Sequence, residues 1–124
     1  MKKNLNFAIN TAKLTAKTLE KNFKKTGNTA REKSSVMKSK YDLMADKIIK
    51  KEIEKYYPNY SYITEETGWV RKDPNKVWVI DPLDGTSNYV NGNPLYSISI
   101  ALWINNEPIL GVIEAPGIKE RYVA

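Results

Sequence analysis

Between Leu5 and Phe23, apolar residues recur at three- and four-residue steps: Leu5, Ala8, Ile9, Ala12, Ala16, Leu19 and Phe23, with lysines on the intervening positions. That spacing predicts an amphipathic helix. Gly27, just past Lys24-Lys25, suits a glycine cap with cations at the helix carboxyl end. Asn28 to Ser39 carries no period and reads as an irregular connection. From Asp42 the period resumes in Leu43, Ala45, Ile48, Ile49, Ile53 and Tyr56, with Lys47, Lys50, Lys51, Glu54 and Lys55 turned to water. This second helix should stop before Pro58.

The pattern then changes character. Tyr60 to Thr64 is short, aromatic and β-branched, which predicts a strand leading to Glu65 and Glu66. Gly68 to Lys76 reads as a polar loop, and Val77 to Ile80 as a buried strand that delivers Asp81. Thr86 to Val90 starts a short helix ended by Gly92-Asn93-Pro94. Leu95 to Ile104 and Pro108 to Ala115 are β-rich runs around Asn105-Asn106-Glu107, the chemistry of a hairpin turn, and Arg121 to Ala124 begins another strand. The order predicts an α+β fold, with two amino-terminal helices (1–58) packed on a mostly antiparallel sheet (59–124) in one domain.

At 124 residues, 41% hydrophobic and 27% charged, the chain can build one packed core. It has no cysteine and no histidine, which removes thiolate and imidazole metal sites and the Ser-His-Asp and Cys-His classes of catalysis. Carboxylates, hydroxyls, lysines and a bound metal remain. The net charge of +6 is uneven: residues 1–60 carry +9 and residues 61–124 carry −3. Dispersed lysines of this kind are ordinarily solvated helix faces, with RNA binding the less frequent alternative. No segment has the apolar length of a membrane span, and Asn6, Asn10, Lys13 and Lys17 interrupt any signal-peptide core, so a cytoplasmic location is expected.

The densest chemistry is Asp81-Pro82-Leu83-Asp84-Gly85-Thr86, directly after Val77-Trp78-Val79-Ile80. Pro82 fixes its own φ and Gly85 tolerates angles that a Cβ forbids, so the two carboxylates can be held toward one point, as a hard divalent cation requires. A plain β-turn would use Asp and Gly but needs neither the second Asp nor the Thr.

Trp78 to Tyr89 resembles the W-x-[IV]-D-P-[IL]-D-G-T-x-N-[FY] signature of the inositol monophosphatase family of magnesium-dependent phosphomonoesterases. Ile63-Thr64-Glu65-Glu66 is similar to that family's acidic pair, and Gly111-Val112-Ile113, Pro116 and Tyr122-Val123-Ala124 match the strands that follow. The resemblance covers the amino-terminal half of a domain about twice this long, the first half of an α/β/α/β/α layered sugar-phosphatase fold. It implies one Mg²⁺ held by Glu65, Asp81 and the Leu83 carbonyl, and a second bridging Asp81 and Asp84. Glu65 and Thr86 would then orient and deprotonate a metal-activated water, with Asp81 at the reacting centre, and Gly85, Thr86 and Ser87 would bind the substrate phosphate.

Glu66 reads either as support for these ligands or as a solvated acid. Asp42 reads either as a helix N-cap or as the acid of a third, weaker metal site, with Asp46 as its substitute one turn on. The resemblance further implies hydrolysis of inositol monophosphate or a related sugar phosphate, and a homodimer in the intact family. A Trp-Asp segment that supplies a further metal ligand lies beyond the matched half, so the expectation is a truncated domain that is inactive alone. The alternatives are a non-catalytic accessory protein that contacts RNA or the transcription machinery, and a degenerate gene remnant.

Overall fold

Alanines at one face let the first helix lie close to its neighbours. Helix α1 (Lys2–Thr26) buries Ala8, Ala12, Ala16 and Leu19, together with Thr11 and Thr15. The polar members are satisfied within the helix, since Thr15 Oγ1 donates to the Thr11 carbonyl at 2.9 Å. The structure is a computed structural model that describes residues 1–26 and 34–124. The proposed Gly27 cap therefore lies outside the described residues, as does the first part of the predicted connection.

The rest of that connection is helical, because helix α2 (Ser34–Tyr56) begins eight residues before Asp42. Its inner stripe is Tyr41, Ala45, Asp46, Ile49 and Ile53, whereas Leu43 and Tyr56 face outward. Asp42 sits inside this helix, so the N-cap reading of that residue fails. Tyr57, which closes α2 through its N–H to the Ile53 carbonyl, also gives its hydroxyl to Asn4 Oδ1 at 2.7 Å and so ties the two helices together.

Six strands form one sheet in the order β2-β1-β3-β4-β5-β6. They are β1 (Tyr60–Thr64), β2 (Gly68–Val70), β3 (Asp73–Asp84), β4 (Ser97–Ile104), β5 (Glu107–Ala115) and β6 (Glu120–Val123). The stretch predicted as a loop from Gly68 to Lys76 is partly sheet, because β2 turns back on β1 and β3 starts as early as Asp73. Polar side chains there hid strands whose backbone pairing, rather than burial, keeps them extended.

Every strand pairing is antiparallel except β1 with β3, which run parallel. The β4–β5 turn uses Asn105 and Asn106, both at positive φ (51° and 66°), as a two-residue hairpin demands. Helix α3 (Thr86–Val90) follows β3.

One face of the sheet carries the core. Trp78, Ile80, Ile98, Ile100, Leu102 and Val112 alternate along β3, β4 and β5 and pack under α1 and α2. Tyr89, wholly buried, packs tilted against Phe23 and Tyr41 and edge-on against Tyr96, and gives its hydroxyl to the Leu19 carbonyl at 2.7 Å, which fixes α3 to α1. Among the described residues, no helix is long and apolar enough to cross a membrane.

Candidate active site

Parallel pairing brings the two acidic segments together. Thr64 of β1 is the register partner of Ile80 of β3, so Glu65 and Asp81 leave adjacent parallel strands at matched positions. The carboxyl ends of parallel strands are where open sheets place their ligand sites.

A bulge then does for Asp84 what regular strand geometry could not. In a regular strand, residues three apart face opposite ways. Asp81 pairs with Ser99 and Asp84 with Ser97, so three steps on β3 match two on β4. The extra residue at Pro82-Leu83 turns Asp84 to the same face as Asp81.

Gly85 follows at φ 81°, as the N-cap residue of α3. A Cβ there would stand 2.8 Å from the Leu95 carbonyl oxygen, which also accepts from Asn88 Nδ2 at 2.8 Å. Glycine is therefore required on two counts: the backbone angle and the close approach.

Asp81 is the strained member of the group. Its Oδ1 is buried with no hydrogen-bond partner. Burial first, then the negative charges of Asp84 and Glu65, push its carboxyl up from 3.8 to about 6, against the lowering effect of a hydrogen bond from the Leu83 N–H. Glu66 is likewise raised, by partial burial and then by Asp42, Glu65 and Asp46.

Helix α2 supports both segments from behind. Asp42 Oδ1 lies 2.9 Å from Thr86 Oγ1, whose hydroxyl also stands 3.2 Å from the Leu83 carbonyl. One turn on, Asp46 Oδ2 accepts from Thr67 Oγ1 at 2.7 Å, while Thr64 Oγ1 accepts the Thr67 N–H at 2.8 Å. The Glu65-Glu66 turn is thus pinned on both sides. Thr67 and the anchoring role of Asp46 escaped the sequence reading. Their one signal was the four-residue spacing of Asp42 and Asp46, which puts both on one helix face.

The structure thus brings Glu65, Asp81, Asp84, Thr86 and Asp42 to one end of the sheet, with Leu83 and Gly85 between them. Ser87 is exposed on α3 and no hydrogen bond ties its side chain to the group. The hydroxyl of Thr86 is directed to Asp42 and Leu83 rather than to Glu65. The donors are all oxygen, the kind Mg²⁺ prefers, and the buried, unpartnered oxygen of Asp81 is an acceptor that a cation would satisfy. Among the described residues no three acidic side chains stand close enough together to ligate one ion, so gathering them takes side-chain rotation.

The sequence model of the inositol monophosphatase family matches residues 1–124. The chain belongs to that family.

Within the inositol monophosphatase family, the chain is 37% identical over 125 residues to the Nus factor SuhB of Haemophilus influenzae, covering 97% of this chain and 46% of that protein. It is 41% identical over 85 residues to the inositol-1-monophosphatase of Mesorhizobium japonicum, covering 68% of this chain and 32% of the relative. Among solved structures, the Thermotoga maritima IMPase aligns with a TM-score of 0.83 at 32% identity, over 98% of this chain and 48% of the other. The chain therefore spans about half the length, or less, of these relatives. The two helices on a mixed sheet are the α+β arrangement of such inositol monophosphatase structures.

Proposed function

We propose that this chain carries the phosphate-cleaving half of a magnesium-dependent phosphomonoesterase that acts on a small phosphorylated polyol or sugar, inositol monophosphate among them. The observation that supports this most is the state of Asp81, a carboxylate with a buried, unpartnered oxygen whose proton affinity is raised by burial first and then by the charges of Asp84 and Glu65. Groups forced together at such cost mark functional sites more often than structural ones.

Glu65, Asp81 and the Leu83 carbonyl would hold one Mg²⁺, and Asp81 with Asp84 a second. When bound, the ions supply positive charge that neutralises the phosphate oxygens and makes a nearby water more acidic. The chain's own residues do the rest. Asp42 accepts a hydrogen bond from the Thr86 hydroxyl, so Thr86 would take a proton from the attacking water as it passes its own to Asp42, with Glu65, just past the neighbouring parallel strand, orienting that water. As water oxygen bonds to phosphorus, the ester oxygen leaves and takes up a proton from solvent. The N–H groups of Gly85, Thr86 and Ser87, at the start of α3, would bind the phosphate oxygens.

The test is phosphate release from inositol monophosphate in the presence of Mg²⁺, by this chain combined with a polypeptide carrying the second half of the family domain. Activity that disappears in Glu65→Ala and Asp81→Ala supports the reading, and activity indifferent to both defeats it.

A second reading is favoured by one specific observation: relatives that cover almost the whole chain carry the name Nus factor. In that reading the chain is an accessory protein that contacts RNA or the transcription machinery through exposed Lys2, Lys3, Lys13, Lys17 and Lys21 on α1. RNA binding that weakens with salt and survives Asp81→Ala would favour it over hydrolysis.

A further inference from the structure

A second cavity lies at the end of the helix pair remote from the acidic site. It opens between the first turns of α1 and the last turn of α2, holds about 570 Å³, and is walled by Phe7, Tyr56 and Tyr57. Glu52, on its α2 side, lies ten residues beyond Asp42, about 15 Å along the helix axis. No residue that lines it belongs to the acidic group.

The aromatic wall is fixed before any ligand arrives. The Phe7 ring stands edge-on to Tyr57 at 4.7 Å and to Tyr56 at 6.0 Å between centroids. Tyr57 is 7% exposed, meets the buried Trp78 edge-on at 5.4 Å, and is tied to Asn4 by its hydroxyl. Tyr56 beside it is 56% exposed. An open ring next to two rings anchored in the core offers a flat surface on which another ring can pack, and little order is lost in doing so.

Charge decides what kind of ring enters. The first turn of α1 holds Lys2 and Lys3 and no acid, so two cations stand at the positive end of the helix dipole, where an anion is favoured. Among the described residues neither forms an ion pair. Lys55 Nζ adds a further positive charge 5.1 Å over the Tyr56 ring. Glu52 is the single acid among the described lining residues, so the mouth stays net positive. Thr11, also in the lining, is 3% exposed; its carbonyl accepts from Thr15, while its hydroxyl makes no hydrogen bond to a described residue and so keeps a donor for an incoming oxygen.

We propose that this cavity binds a small planar aromatic anion, an aryl phosphate or aryl carboxylate, with its ring against Tyr56 and Phe7 and its anionic group between Lys2 and Lys3. A cleft of this volume, walled by rings and furnished with a few polar groups, is the common build of a small-molecule site. The inference is independent of hydrolysis, and it is tested by binding in the absence of metal.

The experiment titrates the full 124-residue chain with 1-naphthyl phosphate and 1-naphthoate by calorimetry, in EDTA so that no metal draws an anion to Asp81 and Asp84. The expected result is one-to-one binding of at least one of the two anions, the pair of affinities telling phosphate from carboxylate, with a rise in Tm because the ligand bridges α1 and α2. Inorganic phosphate, which lacks the ring, and 1-naphthol, which lacks the charge, should each bind about tenfold more weakly or worse. Tyr56→Ala and the double variant Lys2→Glu/Lys3→Glu should each weaken binding by a similar factor. Both leave the helices intact, since Tyr56 is exposed and acids suit the start of a helix. Trp69→Ala, in the separate groove beside Arg71 on the far side of the sheet, should change nothing. The proposal is overturned if the folded chain binds neither anion, if 1-naphthol binds as well as they do, if binding ignores the Tyr56 and lysine substitutions, or if Trp69→Ala abolishes it.

Discussion

Asp46 and Thr67 are joined by a 2.7 Å hydrogen bond that fixes the turn carrying Glu65 and Glu66 to the back of helix α2. Asp46 is only 3% exposed, and its Oδ1 has no partner, so this single bond and Lys50 at 3.9 Å are what offset the burial of the carboxylate. Thr67→Val leaves both oxygens of this buried carboxylate without a hydrogen bond, and we expect a loss of about 1–3 kcal/mol in urea unfolding, with Asp46→Ala costing less because the exposed Thr67 hydroxyl can turn to water. Equal losses for the two substitutions would refute the asymmetry.

The Asp42–Thr86 pair joins the same helix to the start of α3. Asp42→Ala and Thr86→Ala should show a coupling of about 1–2 kcal/mol in a double-mutant cycle on stability, since each removes the other's partner. If the assembled domain hydrolyses phosphate as proposed, Thr86→Ala should lower kcat by about 10²-fold or more with little change in KM, because the proposed role of the hydroxyl is proton transfer rather than substrate binding. A change confined to KM would assign Thr86 to substrate binding instead.

Asp81 binds its proton more tightly in the folded chain than in the unfolded one, with its carboxyl raised from 3.8 to about 6. Its contribution therefore favours the folded state most in acid, and is lost as pH rises from the lower value through the higher. Without Mg²⁺, Asp81→Asn should stabilise the chain at pH 7 by about 1–2 kcal/mol, and the gain should shrink to nothing below about pH 4. Thermal melts across that range check the sign. Millimolar Mg²⁺ should raise the Tm of the unsubstituted chain and leave Asp81→Asn nearly unmoved.

Gly68 and Gly85 have similar backbone angles, φ 77° and 81°, but different surroundings. A Cβ at Gly68 meets nothing within 4 Å, whereas at Gly85 it meets the Leu95 carbonyl at 2.8 Å. Gly68→Ala should cost only the left-handed backbone penalty, about 1 kcal/mol. Gly85→Ala should cost about 3 kcal/mol or more, since the β3–α3 junction must also part from Leu95. Denaturant midpoints of the two variants would separate these effects.

Much of this was legible in the residues because the signals are local. The three-to-four spacing from Leu5 to Phe23 and from Leu43 to Ile53 identified both helices, and Asn105-Asn106 marked the hairpin. Where polar residues meet regular backbone, the signal failed. Ser34 to Ser39 has no apolar period but extends α2, and Gly68 to Lys76 looks like a loop yet contains β2 and the start of β3.

The sequence by itself determined which groups are available for chemistry: with no histidine and no cysteine, carboxylates, hydroxyls and lysines remained, and Asp81-Pro-Leu-Asp-Gly-Thr after a buried strand gathers the first two. Only the tertiary structure decided how they meet. The parallel register of β1 on β3 sets Glu65 beside Asp81, the bulge turns Asp84 to the same side, and α2 brings Asp42 to Thr86 across 44 residues of chain. Residue identity fixes charge and hydrogen-bonding capacity, which are properties of single side chains. Convergence depends on pairings between segments far apart in sequence, and no local pattern encodes those.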